Sequence, residues 1–346
     1  MVTSKLVASA RLESSQRGLS PFVYDIAGVS SGIAALCSDD SLHVLDGSTL
    51  KSVSNFKNWQ DGVCQRLKLF AADTIVTAGA AGKVRIRDLR SKGAISEELQ
   101  LKGQENLLCV DVNPGKNQVA VGTELVGVDA KVVIWDIRQS GDPCIVYNDS
   151  HSENVTDLCF AQDSSLLLSG SDDGIVNLFD TTISDEDEAV VEAFNFVAGI
   201  QSCQFIDDTN NILTLTQQAT LHVNEYNIKD KIEGETWSQS FGDLREKLNV
   251  KHVVSALQKP VPTILTDSIN EMQLHRLRYS ERKSKWKLDR EILVFPEAHG
   301  PEIGRAVYVS GNRVYTGGED GIVKAWSADI DWLNKNDHPK KRPKLE

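Results

Sequence analysis

Short apolar runs, each followed by turn-forming residues, recur along the chain and are clearest in residues 151–180. Residues 155–160 mix apolar and polar side chains, residues 166–170 are apolar and end in small residues, and residues 175–179 alternate more regularly. Runs of this length and pattern are typical of β-strands. Asp173-Gly174, before the third run, is a strong signal for a tight hairpin turn. The pattern therefore predicts three short strands, the last two joined by a hairpin.

The same pattern returns at a nearly constant interval. The residue that ends the third strand of each copy is predicted at Asp46, Asp88, Asp136, Asp180, Tyr226, about Leu277 and Ser327. Successive intervals are 42, 48, 44, 46, 51 and 50 residues, which is close to the length of a four-stranded propeller blade. The repeats predict an all-β, seven-bladed β-propeller, with blades at residues 21–58, 59–103, 104–150, 151–195, 196–248, 249–296 and 297–329. The sixth blade is inferred mainly from the gap that it must fill.

Two of the copies share four polar or aromatic positions. These residues are His151, Ser169, Asp173 and Phe179 in the fourth copy, and His299, Thr316, Asp320 and Trp326 in the last. In both, the hydroxyl residue lies ten positions and the Asp six positions before the aromatic residue. This spacing resembles the WD repeat, in which these positions form a buried chain of hydrogen bonds. Because Phe179 replaces the Trp, the fourth copy lacks the indole donor.

The resemblance to WD-repeat proteins covers residues 4–329 and implies how the ring closes. In that family the N-terminal strand commonly completes the last blade, and residues 4–12 are suited to do so. Closure removes an exposed sheet edge that would otherwise favour aggregation. We therefore expect one propeller domain over residues 1–330, followed by a basic, disordered tail over residues 331–346.

Within the WD-repeat family, the chain is most similar to the group of WD repeat-containing protein 89. The matching features are KVVIWDIR after an inserted hairpin at residues 124–130, LSGSDDGIVNLFD before an acidic loop, TGGEDGIVKAW and a basic C-terminal tail. This closer resemblance implies a nuclear protein without enzymatic activity.

The chain is acidic, which constrains its partners. Its 346 residues include 49 acidic and 37 basic side chains, giving a formal charge of −12. This negative charge disfavours nucleic-acid binding as the main function and favours basic protein partners. Four carboxylates are adjacent at Asp185, Glu186, Asp187 and Glu188. They are either a solvated loop or a docking site for a basic partner.

Two basic segments stand out against this background. Residues 276–290 hold seven bases, two acids, Tyr279 and Trp286, which predicts either a charged hairpin or a weak contact with RNA or an acidic protein. If the segment is a strand, Lys283, Lys285 and Lys287 share one face. The second segment resembles a short nuclear import signal and contains Lys340, Lys341, Arg342 and Lys344. From this resemblance we expect a nuclear protein, with the cytoplasm as a second location. The alternatives are a solvated tail that no receptor recognises and weak nucleic-acid binding.

The third blade ends in Trp135-Asp136-Ile137-Arg138. This motif resembles the element by which some propellers dock onto the adaptor of cullin-RING ubiquitin ligases. Arg also follows this Asp in ordinary WD repeats, and the second blade has the related Arg87-Asp88-Leu89-Arg90. The motif therefore leaves ligase docking and a purely structural role both open.

The sequence offers little for catalysis, metal binding or membrane insertion. Gly28-Val29-Ser30-Ser31-Gly32 spells a nucleophile motif, but a strand-like run follows it where that motif needs a helix. The six cysteines are scattered without a Cys-x-x-Cys pair, and no run of eighteen apolar residues or signal-peptide core is present. We expect no enzyme activity, no cofactor, no metal and no membrane partner.

Together these patterns predict a nuclear scaffold for protein–protein interactions with a basic client, such as a histone or a ribosomal protein. The alternative is a substrate receptor of a cullin-RING ubiquitin ligase.

Overall fold

The computed structural model describes residues 1–14, 20–60, 64, 66–139, 141–162, 164–206, 209–227, 237–258, 261–268, 271–300, 302–329 and 331–332. These residues form seven sheets, each built from four consecutive or ring-closing antiparallel strands, so the predicted all-β, seven-bladed propeller is confirmed. No helix in this part of the chain is long and apolar enough to cross a membrane.

The strands up to the end of the third blade are short, as the sequence pattern predicts. Two strands, β1 (Val2–Thr3) and β2 (Lys5–Arg11), precede the first blade. Blades one to three consist of β3 (Val23–Val29), β4 (Gly32–Cys37), β5 (Leu42–Asp46), β6 (Ser52–Phe56), β7 (Leu67–Ala71), β8 (Thr74–Ala78), β9 (Lys83–Asp88), β10 (Ala94–Gln100), β11 (Leu107–Asn113), β12 (Gln118–Thr123), β13 (Val132–Asp136) and β14 (Ile145–Tyr147). Short 3₁₀ turns occupy Ala80–Gly82 and Leu89–Ser91.

Blades four to seven follow the same scheme. Their strands are β15 (Val155–Phe160), β16 (Leu166–Ser171), β17 (Ile175–Asp180), β18 (Val190–Asn195), β19 (Ile200–Ile206), β20 (Asn211–Thr216), β21 (Thr220–Glu225), β22 (Ser238–Asp243), β23 (His252–Leu257), β24 (Thr263–Ser268), β25 (Glu271–Ser280), β26 (Lys285–Pro296), β27 (Gly304–Ser310), β28 (Arg313–Gly318) and β29 (Ile322–Ser327). The short helix α1 (Glu186–Ala189) joins the third and fourth strands of blade four, and α2 (Leu244–Leu248) joins blade five to blade six. A 3₁₀ turn spans Glu281–Lys283.

The predicted Asp-Gly hairpin turn is present between β16 and β17. Gly174 has a φ of 84°, and a Cβ atom there would lie 2.5 Å from the carbonyl oxygen of Phe196. The left-handed backbone and the close approach both require glycine at this position. The turn therefore fixes the register in which β16 and β17 pair.

Apolar side chains are buried between successive blades rather than within one sheet. One cluster joins Ile134 and Tyr147 of blade three to Leu167 and Phe179 of blade four. The rings of Tyr147 and Phe179 stack with centroids 4.6 Å apart. Each blade therefore depends on its neighbours for a core, as in other repeat architectures.

The first strand of every blade faces the centre of the ring and contacts the first strands of its neighbours, including β27 against β3. Three aspartates on these strands each accept a backbone N–H of the next blade. Asp25 accepts from Leu67 at 3.2 Å, Asp111 from Phe160 at 2.6 Å, and Asp157 from Cys203 at 2.9 Å. These bonds link adjacent blades around the central channel.

The N-terminal strands close the ring in two places. Strand β2 pairs antiparallel with β29 and completes blade seven, as predicted. Strand β1 pairs in parallel with β26, so blade six has a fifth strand that the sequence did not indicate. Ser4 lies between the two strands, and its hydroxyl donates to the carbonyl of Val294 at 2.6 Å.

The pairing register corrects two of the predicted strand ends. Asp180 pairs with Leu166, the first residue of its partner strand. By the same criterion the equivalent positions in blades five and six are Glu225 and Arg276, one residue before the predicted Tyr226 and Leu277. Neither blade has the Asp that ends the third strand in the first four blades or the Asp-Gly turn of blades four and seven, so no local residue marks the end of this strand.

Candidate functional site

In blade seven, the four predicted polar and aromatic residues form one buried chain. The His299 ring lies 2.9 Å from Asp320 through Nδ1 and 3.1 Å from Thr316 Oγ1 through Nε2. The Trp326 indole donates to the same Thr316 oxygen at 3.0 Å. Every member finds a partner inside the protein, so this chain stabilises the blade and is not accessible to a client.

Blade four contains the shorter version of this chain. His151 lies 3.1 Å from Asp173 through Nδ1 and 2.6 Å from Ser169 Oγ through Nε2. Burial alone would raise the pKa of Asp173, but the bonds from His151 and from nearby backbone N–H groups hold it below its usual range. Phe179 makes no polar bond here and contributes packing against Tyr147 instead. This chain is also a structural element.

Two other blades use related chains that sequence reasoning missed. In blade two Gln60 donates to the carbonyl of Lys83 at 2.8 Å and accepts from the Thr77 hydroxyl at 2.6 Å. In blade six His275 occupies the aromatic position and lies 3.1 Å from the Thr266 hydroxyl. Gln60 and Thr77 are seventeen residues apart, as are His299 and Thr316. This shared spacing could have identified the chain of blade two from the sequence.

The acidic segment is not the uniform loop that the sequence suggests. Helix α1 begins after Asp185, whose side chain accepts the backbone N–H of Glu188 at 3.3 Å. Glu186 turns inward and accepts backbone N–H groups of Asn148 at 2.7 Å and Ser150 at 2.8 Å. The expectation of four available carboxylates is therefore wrong for Glu186, because its charge satisfies the partly buried N–H groups of Asn148 and Ser150.

The other three carboxylates of this segment face solvent. Asp185, Asp187 and Glu188 are exposed, and within the described ranges no basic side chain forms an ion pair with any of them. Ala189, directly after them, is fully buried. The three charges therefore lie on one turn that is held to the propeller from both ends, and we call Asp185, Asp187 and Glu188 the rim carboxylates.

The Trp-Asp-x-Arg motif of blade three is divided between core and surface. Trp135 is fully buried, so it cannot contact an adaptor directly. Asp136 accepts the backbone N–H of Arg138 at 3.0 Å and its Nε–H at 2.9 Å. The Arg138 guanidinium thereby holds the pKa of Asp136 below its usual range. The Arg138 side chain remains largely exposed.

The same turn occurs in two further blades. Asp88 accepts the backbone N–H of Arg90 at 2.9 Å, and Asp243 accepts that of Arg245 at 2.8 Å. In both, the Arg side chain returns to the carboxylate as well. An Asp at the end of a strand satisfies the first free N–H of the turn, and an Arg two residues later strengthens that bond. The motif at Arg138 is therefore a general turn of this propeller.

The basic segment of blade six is a hairpin made by β25 and β26, as one of the two interpretations predicted. Lys285 and Lys287 lie two residues apart on β26 and therefore share one face of the strand. The prediction that Lys283 lies on the same face is wrong, because Lys283 belongs to the 3₁₀ turn. Trp286 is 1% exposed, and Tyr279 packs edge-on against it. The aromatic residues do not interleave with the cations at the surface.

The C-terminal segment is described only as far as Trp332. That indole is 3% exposed and packs with Phe295 and Trp326. The buried Arg276 guanidinium lies 5.1 Å from its ring centre and donates to its carbonyl at 2.7 Å. Trp332, which the sequence placed in the tail, is thus part of the packed structure. The predicted import residues Lys340, Lys341, Arg342 and Lys344 lie outside the described residues.

The central channel opens into a cavity of about 580 Å³ at one mouth. Lys68 and Asp111 form an ion pair across it at 3.0 Å, while burial raises the pKa of the nearby Asp157. Burial opposes the charge on Lys68, but Asp111 and Asp157 together raise its pKa. The charges of Lys68 and Asp111 on the cavity wall thus neutralise each other. In the described part of the protein, no group of three or more His, Cys, Asp or Glu side chains can hold a metal ion.

Comparison with known proteins agrees with this geometry. Residues 142–180 match the family described as WD domain, G-beta repeat. An uncharacterized WD repeat-containing protein of Saccharomyces cerevisiae is 32% identical over 303 residues, which cover 85% of this chain and 75% of that protein. An uncharacterized WD repeat-containing protein of Schizosaccharomyces pombe is 26% identical over 318 residues, covering 88% of this chain and 95% of that protein.

Proposed function

The chain belongs to the WD-repeat protein family, and from this premise we propose that it is a non-enzymatic nuclear scaffold that binds a basic protein client. WD-repeat propellers generally act as platforms for protein–protein interactions. A closed ring of blades is rigid, and loops held on such a framework can present recognition residues at fixed positions.

The observation that carries this proposal is the geometry of the rim carboxylates. Glu186 anchors their turn to residues 148–150 of the preceding blade, and the Ala189 N–H donates to the carbonyl of Asp185 at 2.9 Å. Three negative charges are thereby fixed in place without a cation of the described residues beside them. A partner that supplies Lys or Arg side chains would bind without the entropy cost of ordering this turn.

Overall charge supports a basic client. A formal charge of −12 attracts cationic proteins over distances comparable to the Debye length and increases their association rate. A histone or a ribosomal protein has this chemistry. The nuclear location is proposed from the sequence of residues 340–344, which resembles an import signal.

A direct binding experiment tests the proposal. The rim variant Asp185→Asn/Asp187→Asn/Glu188→Gln and a control variant, Glu13→Gln/Glu246→Gln/Glu302→Gln, change the net charge equally. The control residues are exposed and lie outside blade four, which carries the rim carboxylates. We expect purified core histones or a pool of ribosomal proteins to bind wild type and control alike and the rim variant at least about tenfold more weakly, a loss of about 1.4 kcal/mol. Equal binding by all three proteins would contradict the proposal.

The second candidate, docking onto a ubiquitin-ligase adaptor, depends on Arg138. Its exposed guanidinium favours this function, although the same Asp–Arg turn is present at Arg90. That repetition supplies a matched control. Docking through this motif requires the adaptor to co-purify with wild type and with Arg90→Ala but not with Arg138→Ala. If Arg138→Ala retains the adaptor, or wild type never binds it, this candidate is wrong.

A further inference from the structure

The hairpin of blade six extends past the sheet that carries it. Strand β24 begins at Thr263, which pairs with Arg276. Beyond that point the only strand pairing of β25 and β26 is with each other, through Leu277 with Leu288, Tyr279 with Trp286 and their neighbours. The Leu277 N–H still donates to the carbonyl of Pro262, at 2.8 Å. We call residues 277–288 the extended hairpin. Among the described strands, those of the other blades are all shorter than β25 and β26.

One face of the extended hairpin is apolar and is fixed to blade five. Leu277, Leu288, Tyr279 and Trp286 pack into the cluster that joins blades five and six. The side chain of Gln239, on the outermost strand of blade five, accepts the N–H of Trp286 at 3.0 Å and donates to its carbonyl at 2.9 Å. The hairpin is therefore held in one orientation, and its other face must point away from the core.

That other face is cationic. Side chains of directly paired residues share a face, so Arg278 lies opposite Lys287, and Ser280 lies opposite Lys285. The turn adds the exposed Arg282 and Lys283. Burial and then the neighbouring cations Lys283, Lys285, Arg278 and Arg282 lower the pKa of Lys287.

The nearby acids do not balance this charge. Asp289 is shared between the buried Arg276, with which it forms an ion pair, and Arg278 at 3.4 Å. Within residues 277–288 the sequence contains five bases and one acid, Glu281. Like charges directly opposite each other on a hairpin destabilise it. These cations repel one another and so lower stability, yet the hairpin holds them in place. Arrangements that cost stability in this way are expected at functional sites.

We propose that the cationic face of the extended hairpin binds the phosphate backbone of nucleic acid without reading its sequence. An anionic backbone relieves the repulsion between Arg278 and Lys287 and releases counterions. The surface offers little for base stacking, because Trp286 is buried and the half-buried Tyr279 packs edge-on against it. Apolar contacts are also missing, since none of the exposed large apolar side chains in the described ranges belongs to residues 277–288. A protein partner would need such an anchor, so the surface favours phosphates over an acidic peptide.

The test measures fluorescence anisotropy of a labelled 20-base-pair RNA duplex, and of a DNA duplex of the same sequence, with the full chain. The hairpin variant is Lys285→Gln/Lys287→Gln, and the charge-matched control is Lys51→Gln/Lys57→Gln, two exposed lysines of blade one. We expect both duplexes to bind, and the hairpin variant to reduce the slope of log affinity against log salt by about 2, because each lysine contacts one phosphate. The control leaves the slope unchanged.

Two further arms separate this surface from other sources of binding. The first neutralises Lys340, Lys341, Arg342 and Lys344 in the full chain, and the second adds polyglutamate as a competitor. We expect hairpin-dependent binding to survive the first and to resist the second at equal charge concentration. The proposal is overturned if neither duplex binds, if the hairpin and control variants lose affinity equally, if only the tail variant abolishes binding, or if polyglutamate displaces the duplex at equal charge.

Discussion

The Glu186 carboxylate accepts the backbone N–H of Ser150 at 2.8 Å, across the boundary between blades three and four. It also accepts the N–H of Asn148, at 2.7 Å, and that of Asp149, at 3.0 Å. A single carboxylate thus satisfies three consecutive donors of a blade junction. Its three acidic neighbours make no such bonds to that junction and face solvent, so the same short segment supports the ring and presents charge.

This division predicts that Glu186 and Glu188 respond differently to the same substitution. Glu186→Ala leaves three N–H groups, two of them partly buried, without their charged acceptor, and we expect the free energy of unfolding to fall by about 1–3 kcal/mol. Glu188→Ala removes only an exposed charge and should change it by less than about 0.5 kcal/mol. Urea denaturation measures both values. Equal effects would mean that Glu186 does not anchor the turn.

The buried chains of blades seven and four predict unequal costs for loss of their hydroxyls. Thr316→Val removes the acceptor of the Trp326 indole and the partner of His299, so we expect a loss of about 2–4 kcal/mol. Ser169→Ala removes only the bond to His151, because Phe179 has no donor, and Asn177 Nδ2 remains 3.5 Å from the same ring nitrogen. A loss of about 1–2 kcal/mol is therefore expected. Chemical denaturation of the two variants checks the order. A larger loss for Ser169→Ala would contradict the structural assignment.

His275 predicts a pH dependence of stability. Burial lowers its pKa to about 4 in the folded protein, against about 6.5 in an unfolded chain. As pH falls from 6.5 to 4 the unfolded state binds the proton first, so stability decreases, on the order of 3 kcal/mol for this group. Asp267, whose pKa burial raises to about 6, opposes this effect because its folded state takes up a proton as pH falls below 6.

The variant His275→Gln isolates the contribution of the histidine. Glutamine does not titrate and can still bond to the Thr266 hydroxyl, while Asp267 is present in both proteins. We expect wild type to lose a few kcal/mol of unfolding free energy relative to the variant as the pH falls from 6.5 to 4. Parallel curves over this range would show that His275 is not buried in its neutral form.

The proposed nuclear location predicts a distribution in cells. Lys340, Lys341, Arg342 and Lys344 are the basic residues of the import-like segment. We expect their joint replacement by Gln to shift a fluorescent fusion from the nucleus to the cytoplasm, while Lys51→Gln/Lys57→Gln has no effect. The ratio of nuclear to cytoplasmic fluorescence measures the shift. A variant that stays nuclear would assign import to another segment or to a bound partner.

Local pattern was sufficient to predict the architecture. Strand length, the turn at Gly174 and the spacing of Thr316, Asp320 and Trp326 are all encoded within about twenty residues, so they can be read without knowing the fold. The match between the N-terminal segment and the incomplete last blade is a long-range inference, yet it follows from counting strands. The same count could not predict that β1 adds to blade six, because two residues carry no periodicity.

The surface was harder to predict because side-chain direction depends on contacts between blades. The acidic run is uniform in sequence, and only the approach of residues 148–150 turns Glu186 inward. Trp286 looks available for stacking until Gln239 of the neighbouring blade fixes its backbone. Trp332 lies in a polar tail by composition, but Arg276 and the adjacent core bury it. Each of these contacts joins residues far apart in the chain.

The most direct test of the central claim is quantitative mass spectrometry of proteins that co-purify from nuclear extract with wild type, the rim variant Asp185→Asn/Asp187→Asn/Glu188→Gln and the control variant Glu13→Gln/Glu246→Gln/Glu302→Gln. We predict at least one basic protein that is recovered equally with wild type and control and is about tenfold depleted with the rim variant. Identical sets of partners for all three would contradict the assignment of the rim carboxylates as the client site.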